Sequence, residues 1–348
     1  MIFLDCFFSD FSFKNKMRKK NSISSIAKEL GVSPTTVSFV LNGKAKEKRI
    51  SEASEKRILE YVEKVGFKPN ELAKSLRTGK TKIIGLIIED ISNAFYANIA
   101  RYMEYAAYSR GYRIIYCSTD NKPQKAKELI QMFKNQHVDG FIVTPTPQLE
   151  ECLEGLIEEN YPVVLFDRHL ENISTDYVIT NNFEGAYSAT SHLIQEGFKK
   201  IALVTLKDGQ SQMQARREGY LKALNENQLE PVFCEIQHGI GDIDSVKAFS
   251  EFYKDFDGDA LFFTTNYLGV IAIRTLKEMG KEIPGMVSFD DHTLFRLFSP
   301  TISVVSQPLS KIADELIKIM LEKLSGQSNE LRQVVLPSEL IIRESSKR

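Results

Sequence analysis

At 348 residues, 43% hydrophobic and 26% charged, the chain is too long for one ordinary core and too evenly mixed to be disordered or membrane-embedded. That length fits about two or three folded domains, and no run approaches the roughly 20 apolar residues of a spanning helix. The net charge of -1 hides an asymmetry: from Met17 to Lys82, sixteen Lys/Arg stand against seven Asp/Glu, a balance of +9, so the remainder is acidic. A basic head on an acidic body points to nucleic acid as the partner of the head; the plainer alternative is a set of solvated Lys-rich helices.

Residues 1–16 hold an apolar stretch, Met1 to Leu4 and Phe7-Phe8, interrupted by Asp5 and Asp10. No basic region precedes it and no small-residue cleavage site follows, so it is not expected to be an export signal. Met17-Arg18-Lys19-Lys20 has the look of a protein start, and the preceding residues are expected to be a disordered extension or a start-codon artefact. Between Ser22 and Lys68 the apolar positions recur at helical spacing, broken at Gly31–Pro34 and again at Asn42-Gly43. Three short helices result, with Ile26, Ala27 and Leu30, then Val37, Val40 and Leu41, then Ile58, Val62 and Val65 able to close one small core. Lys68-Pro69-Asn70 stops the third, and Glu71 to Arg77 is predicted as a linker with a turn or two of helix.

From Ile83 the texture changes. Short apolar runs at Ile83–Ile88, Tyr112–Cys117, Gly140–Val143, Val163–Phe166, Ile201–Val204, Ala260–Phe263 and Met286–Phe289 read as strands. They alternate with predicted helices at Phe95–Arg110, Gln124–Asn135, Glu184–Glu196, Gln214–Asn225, Tyr267–Met279 and Leu309–Leu324. That alternation predicts parallel sheets covered on both faces, in two lobes with a cleft between them. Ligands of such sheets bind at the carboxyl ends of strands, so the turns after the strands are where a site is sought.

The segment Ile26 to Ser38 reads as a helix-turn-helix. Gly31 suits the left-handed end of the first helix, Ser33 can cap the second, and Pro34 fits its first turn. Thr35, Thr36 and Ser38 near the start of the second helix are small enough for base edges or phosphates to approach; a plain capped helical hairpin has the same spacing. Cys6, Cys117, Cys152 and Cys234 show no CxxC spacing, and His137, His169, His192, His238 and His292 are dispersed. Buried thiols in a reducing compartment are expected, with no metal site and no cofactor.

Ser22 to Arg77 resembles the headpiece of the LacI/GalR family, through Val37-Ser38, Leu41-Asn42-Gly43, Gly66-Phe67-Lys68-Pro69-Asn70 and Ala73 to Gly79. The likeness runs on through Ile84-Gly85-Leu86-Ile87, Asp90-Ile91-Ser92-Asn93, Val138-Asp139-Gly140, Phe289-Asp290-Asp291 and Ser306-Gln307-Pro308. It implies an all-α helix-turn-helix headpiece at 17–68, a hinge helix and linker at 69–82, and at 83–348 a two-lobed α/β sensor of the type I periplasmic-binding-protein kind with parallel sheets. It further implies a cytoplasmic homodimeric regulator, expected to be a repressor, on a pseudo-palindromic double-stranded operator, with no membrane partner and no catalytic residues. Ser33, Thr35, Thr36, Ser38, Phe39, Asn42, Asn70, Ala73 and Leu76 become the DNA-contacting set, with Leu76 as the apolar wedge in the minor groove. Where the family often places Arg or His, Phe39 cannot make a bidentate contact to guanine; it would touch a thymine methyl or pack internally.

In the sensor the resemblance points to Asp90, Asn93, Phe95, Arg168, Asn181, Arg216, Asn266 and Asp290 as effector-binding. Carboxylates, amides, a guanidinium and an aromatic platform suit the hydroxyls of a sugar or the edges of a base; for any one of these residues a capping or loop role is an equal alternative. Ile283 to Phe289 is shorter than the family's pattern, which predicts a displaced or weakly paired strand before Asp290. No heptad pattern follows Leu336-Pro337, so a dimer is expected rather than a tetramer.

Two other classes compete. Asp290-Asp291 offers an enzyme adjacent carboxylates, but neighbours on a strand point to opposite sides and do not flank one bond. Gly79-Lys80-Thr81 and Gly239-Ile240-Gly241 lack the remaining glycines of phosphate- and dinucleotide-binding loops. A cytoplasmic or exported sugar-binding protein would share the two-lobed fold, and the basic headpiece argues against it.

Overall fold

The computed structural model describes residues 22–67, 79–207, 209–237, 241–327 and 330–348. The chain divides into two compact units, Met1–Gly79 and Lys80–Arg348.

Among its described residues the first unit has three helices, α1 (Ile23–Leu30), α2 (Pro34–Leu41) and α3 (Glu52–Lys64). Each begins at a serine. Ser22 accepts from Ser25 N at 3.1 Å while Ser25 Oγ takes the Ser22 N–H at 2.8 Å, a reciprocal cap. Ser33 accepts from Thr36 N at 3.0 Å, with Pro34 in the first turn. Ser51 does the same for α3 through Ser54 N. Gly31 ends α1 at φ 65°, a left-handed conformation where a β-carbon would be strained. Ile26, Ala27, Val37, Val40, Ala45 and Ile58 are buried together as the core. Arg57 donates to the Leu30 carbonyl at 2.8 Å, tying α3 to the end of α1.

The second unit runs β1 (Ile83–Ile88), α4 (Ala94–Tyr108), β2 (Arg113–Ser118), α5 (Pro123–Asn135), β3 (Gly140–Val143), α6 (Glu150–Glu158), β4 (Val163–Phe166) and β5 (Asp176–Thr180). Then come α7 (Asn182–Gln195), β6 (Ile201–Lys207), α8 (Ser211–Glu226), β7 (Val232–Gln237), α9 (Gly241–Asp255), β8 (Ala260–Phe263), α10 (Asn266–Glu278), β9 (Gly285–Phe289) and β10 (Ser303–Ser306). It closes with α11 (Leu309–Ser325), β11 (Gln333–Leu336) and β12 (Glu339–Ile341). Two six-stranded sheets form, in the orders β11-β5-β4-β3-β1-β2 and β12-β10-β9-β8-β6-β7. Among the described residues every pairing is parallel except β10 with β12.

Strands such as β3, β4 and β8 are buried on both faces, which is why they read as unbroken apolar runs. In lobe 1, Ile84, Leu86 and Ile88 pack against α4 and α11, while Ile87, Phe141, Val143 and Leu165 pack on the opposite face against α5 and α6. Lobe 2 repeats the arrangement. The chain passes between lobes after β5, after β10 and after β11. Side chains tie these crossings together: Thr180 Oγ1 donates to Gln307 Oε1 at 2.6 Å, and Asn181 Oδ1 accepts from Ser338 N and Oγ at 2.7 and 2.9 Å.

The expected weakness before Asp290 is corrected. β9 pairs with β8 through Leu261↔Met286 and with β10 through Val304↔Ser288, so it lies fully inside the sheet. Among the described residues no helix is long and apolar enough to cross a membrane.

Candidate functional site

In the headpiece, α2 leaves Thr35 exposed and Thr36, Ser38 and Phe39 half-exposed, with Ser33 and Asn42 exposed at its two ends. The hydroxyls of Ser33 and Thr36 lie 2.8 Å apart, and Asn42 Nδ2 donates to the Ser38 carbonyl at 2.6 Å. Ser33 and Asn42 therefore define the two ends of this helix. Phe39 stays out of the core; Lys48 Nζ sits 5.6 Å from its ring centroid. Lys44, Lys46, Lys48 and Arg49 are exposed on the turn that follows α2, placing cationic charge beside this face. Asn70, Ala73 and Leu76 lie outside the described residues.

The second site is a pocket between the lobes. Lobe 1 contributes Glu89, Asn93, Phe95, Tyr96 and Asp167; lobe 2 contributes Leu206, Gln210, Gln212, Met213, Arg216, Thr265, Tyr267 and Asp290. Its two central acids come from equivalent places. Asp167 follows β4 and Asp290 follows β9, strands that hold the same position in their sheets, and both take left-handed backbone, at φ 69° and 67°. Such a conformation is costly for a residue with a side chain and is kept where it aims a group.

Arg216 from α8 is 2% exposed. Its Nε donates to Asn182 Oδ1 at 2.9 Å, its Nη1 donates to the Thr264 carbonyl at 2.5 Å, and its guanidinium lies 3.6 Å from the Phe289 ring centroid. Asp290 Oδ2 is 3.9 Å from Nη1, while Asp290 Oδ1 accepts from Gln307 Nε2 at 2.6 Å. Burial pushes the Asp290 carboxyl up to about 6, against the pull of Arg216 and Gln307, and Asp167 adds to the rise. Burial also raises the Asp167 carboxyl and lowers the Arg216 guanidinium. Tyr96 donates to Asp167 Oδ2 at 2.9 Å and meets Phe95 edge-on, with ring centroids 4.9 Å apart. Buried Gln212 Oε1, Thr265 Oγ1 and Asn266 Nδ2 have no hydrogen-bond partner among the described residues. A buried polar atom left without a partner costs about 1–3 kcal/mol, so Gln212 and Thr265, which line the pocket, have capacity left for a polar ligand.

Of the effector residues expected from sequence, Asn93, Phe95, Arg216 and Asp290 line this pocket. Asn93 also caps α4 by accepting from Phe95 N at 2.9 Å. Asn266, 2% exposed, lies between the lining residues Thr265 and Tyr267. The other three stand elsewhere. Asp90 accepts from Ser92 N and Oγ in a local turn. Arg168 is behind the wall, donating to Glu89 and, at 3.3 Å, to Asn121. Burial works against its charge, but Tyr96, Glu89 and Asp167 outweigh that and hold its pKa above the ordinary arginine value. Asn181 belongs to the crossing between lobes, where Ser338 fills its oxygen because the chain must be tied there. Sequence reasoning passed over Glu89, Tyr96, Asp167, Gln212 and Thr265. For Asp167 a signal existed: Phe166-Asp167 repeats Phe289-Asp290 at the end of a buried strand.

Residues 22–70 match the family described as bacterial regulatory proteins, lacI family, and residues 190–346 match the periplasmic binding protein-like domain. The HTH-type transcriptional regulator RegA of Clostridium saccharobutylicum is 32% identical over 93% of this chain and 99% of its own. The chain belongs to the LacI family. It is a DNA-binding transcriptional regulator, and its relatives are regulators rather than enzymes. The HTH-type transcriptional repressor PurR of Aliivibrio salmonicida is another LacI-family relative, 30% identical over 93% of this chain and 98% of its own. Among solved structures, a periplasmic binding protein/LacI transcriptional regulator from Alkaliphilus metalliredigens complexed with D-xylulofuranose has a TM-score of 0.69 at 25% identity, covering 76% of this chain and 98% of its own. The lac repressor dimer bound to operator and an anti-inducer has a TM-score of 0.83 at 18% identity, covering 95% and 100%, which extends the likeness of fold to nearly the whole chain.

Proposed function

We propose that this LacI-family chain is a cytoplasmic, homodimeric repressor whose operator affinity is set by a sugar held between the lobes. The observation that carries the effector half is the pair of buried acids, Asp167 and Asp290, facing one pocket with Arg216 and with unpartnered Gln212 and Thr265 atoms. Carboxylates accept hydroxyl hydrogens and a guanidinium donates to ring or hydroxyl oxygens, so a polyol satisfies both at once. The sugar bound by the Alkaliphilus protein agrees with this chemistry. Asn93, Phe95 and Asn266 complete the contact set, while Asp90, Arg168 and Asn181 hold the walls and the crossing in place.

In this reading residues 17–68 are the DNA-binding headpiece, 69–82 the hinge and linker, where Asn70 and Ala73 contact DNA and Leu76 enters the minor groove, and 83–348 the sensor. Thr35, Thr36 and Ser38 meet bases or phosphates, and Phe39 meets a thymine methyl. Support for the dimer comes from α4, where Tyr102, Tyr105 and Tyr108 recur at three-residue spacing, 45%, 57% and 62% exposed, beside Tyr116 of edge strand β2. An exposed aromatic stripe of this kind is costly to leave in water and is typical of interfaces.

The experiment is thermal-shift screening of the full-length protein against aldoses, ketoses and nucleobases, followed by calorimetry with Asp290→Ala and Arg216→Ala. A sugar that stabilises wild type and loses at least about tenfold in affinity in both variants is expected. Stabilisation by a nucleobase instead would replace the sugar, and wild-type affinity in both variants would remove the pocket.

A further inference from the structure

Taking the pocket as the effector site, we propose that Gln307 is its latch: a positioning residue that ties the effector's acid, Asp290 of lobe 2, to the body of lobe 1 that holds the start of the sensor unit at Lys80.

Gln307 follows β10, is 8% exposed and does not itself line the pocket. Both ends of its amide are engaged. Its Nε2 donates to Asp290 Oδ1 at 2.6 Å, and its Oε1 accepts from Thr180 Oγ1, also at 2.6 Å. Asp290 follows β9 in lobe 2 and Thr180 ends β5 in lobe 1, so one side chain spans the two lobes at their crossings. Oδ1 of the acid is thereby committed, while Oδ2 lies 3.9 Å from Arg216 Nη1. Relative movement of Thr180 and Asp290 by more than roughly half an ångström breaks one of the two bonds or drags Gln307 along. The other tie between crossings, Asn181 with Ser338, joins two residues that do not line the pocket.

On the lobe 1 side the connection is stiff. The Gln307 carbonyl accepts from Leu309 N at 2.9 Å, at the first residue of α11. This helix of 17 residues is about 25 Å long and buries Ile312, Leu316, Ile317 and Met320 in the lobe 1 core. It is clamped to β5 at both ends, by Thr180 through Gln307 and by Asp176 Oδ2 with Lys323 Nζ at 2.9 Å. Past that second clamp the Leu324 carbonyl accepts from Lys80 Nζ at 3.0 Å. The next two residues are held as well, Thr81 N and Lys82 N donating to the Asp139 carboxylate at 2.7 and 2.9 Å. The β5–α11 body therefore carries the latch at one end and the first residue of the sensor unit at the other. A ligand that draws on Asp290 acts on this body through Gln307, and the equilibrium it biases is the angle between the lobes.

The test uses the full-length protein, an operator fragment that it selects from random DNA, and the most tightly bound of glucose, galactose, mannose, ribose and xylose. Calorimetry reads sugar affinity, and anisotropy of the labelled operator reads the change that saturating sugar makes in DNA affinity. Wild type should respond by about 5–150-fold. Gln307→Met removes both bonds, whereas Gln307→Glu keeps an acceptor for Thr180 and loses the donor to Asp290. In both, the response should shrink below about twofold, with sugar affinity within about tenfold of wild type and sugar-free operator affinity within about threefold. Thr180→Val should lose the response as well, and Thr180→Ser, which keeps the hydroxyl, should retain it. Ser338→Ala, on the tie that misses the pocket, should also retain it, which separates a latch from general loosening of the crossings. A larger response in either Gln307 variant, a larger loss of sugar or operator affinity, or an equal loss of response in Ser338→Ala overturns the latch and leaves the pocket as the effector site. Binding of none of the five sugars by wild type sinks the sugar reading and the latch with it.

Discussion

Asp290→Asn is expected to make the sensor domain more stable and deaf to its effector. The Asp290 side chain is 12% exposed, and burial holds its carboxyl at about 6 instead of the usual 3.8. At ~1.4 kcal/mol for each tenfold change in proton affinity, the ionised form costs the folded domain about 3 kcal/mol at pH 7. Below 3.8 the carboxyl is protonated in folded and unfolded chains alike, and the cost vanishes. Between 3.8 and about 6 the folded chain keeps a proton that the unfolded chain has lost, so stability falls as pH rises, then levels off above 6. Asparagine carries no such charge, tolerates the left-handed backbone of this position, and still offers an oxygen to Gln307 Nε2. The gain from substitution should therefore grow by about 2.4 kcal/mol between pH 4 and pH 7, on top of a constant offset for burying an amide. Urea unfolding of wild type and variant at pH 4, 5, 6, 7 and 8 reads this directly. A difference that stays constant with pH, or that grows in favour of aspartate, refutes the reasoning.

Ile58, fully buried among the six core residues of the headpiece, should cost about 2–5 kcal/mol when cut to alanine; operator binding should disappear in a gel shift while calorimetric effector binding stays at the wild-type value. Gly219→Ala should lower the melting temperature of the sensor by several degrees, because a β-carbon there would lie 2.2 Å from the Phe183 carbonyl oxygen and 2.8 Å from Tyr187 N, where α7 and α8 touch backbone to backbone. Tyr105→Glu, on the exposed stripe of α4, should shift the protein from dimer to monomer in light scattering and leave sugar affinity within about twofold, since a charge in an apolar interface is far costlier than one on the surface.

Much of this fold is legible in the sequence because its signals are local. Val163–Phe166 and Ala260–Phe263 are buried on both sides and announce themselves as apolar runs. The headpiece announces itself through Gly31, Ser33 and Pro34, whose backbone preferences coincide with its turn. What escapes is long-range or alternating. β5 has every second residue half-buried, and β11 exists only because it pairs with β5 some 150 residues earlier. β10, four residues long, depends on β9 and β12 in the same way. Most of the pocket escaped for a different reason. At the end of β4 the sequence offers Asp167 and Arg168 side by side, and only the left-handed turn at Asp167 decides that the acid lines the pocket while the arginine turns to Glu89 and Asn121. Asn181 resembled a pocket amide by its place after a strand, yet its oxygen is consumed by Ser338 from a crossing that local sequence cannot reveal.

A regulator of this kind must couple the pocket to the DNA-binding face, and fluorescence anisotropy with a labelled operator fragment measures that coupling. The full-length protein is titrated onto the DNA with and without saturating sugar, and the titrations are repeated with Arg216→Met. The wild-type affinity should move by about 5–150-fold on adding the sugar. Arg216→Met should keep the sugar-free affinity and lose the response at the same concentration, because Arg216 lies in the lobe 2 wall and outside the headpiece. An operator affinity that no bound pocket ligand changes, or a response that survives intact in Arg216→Met, would contradict it.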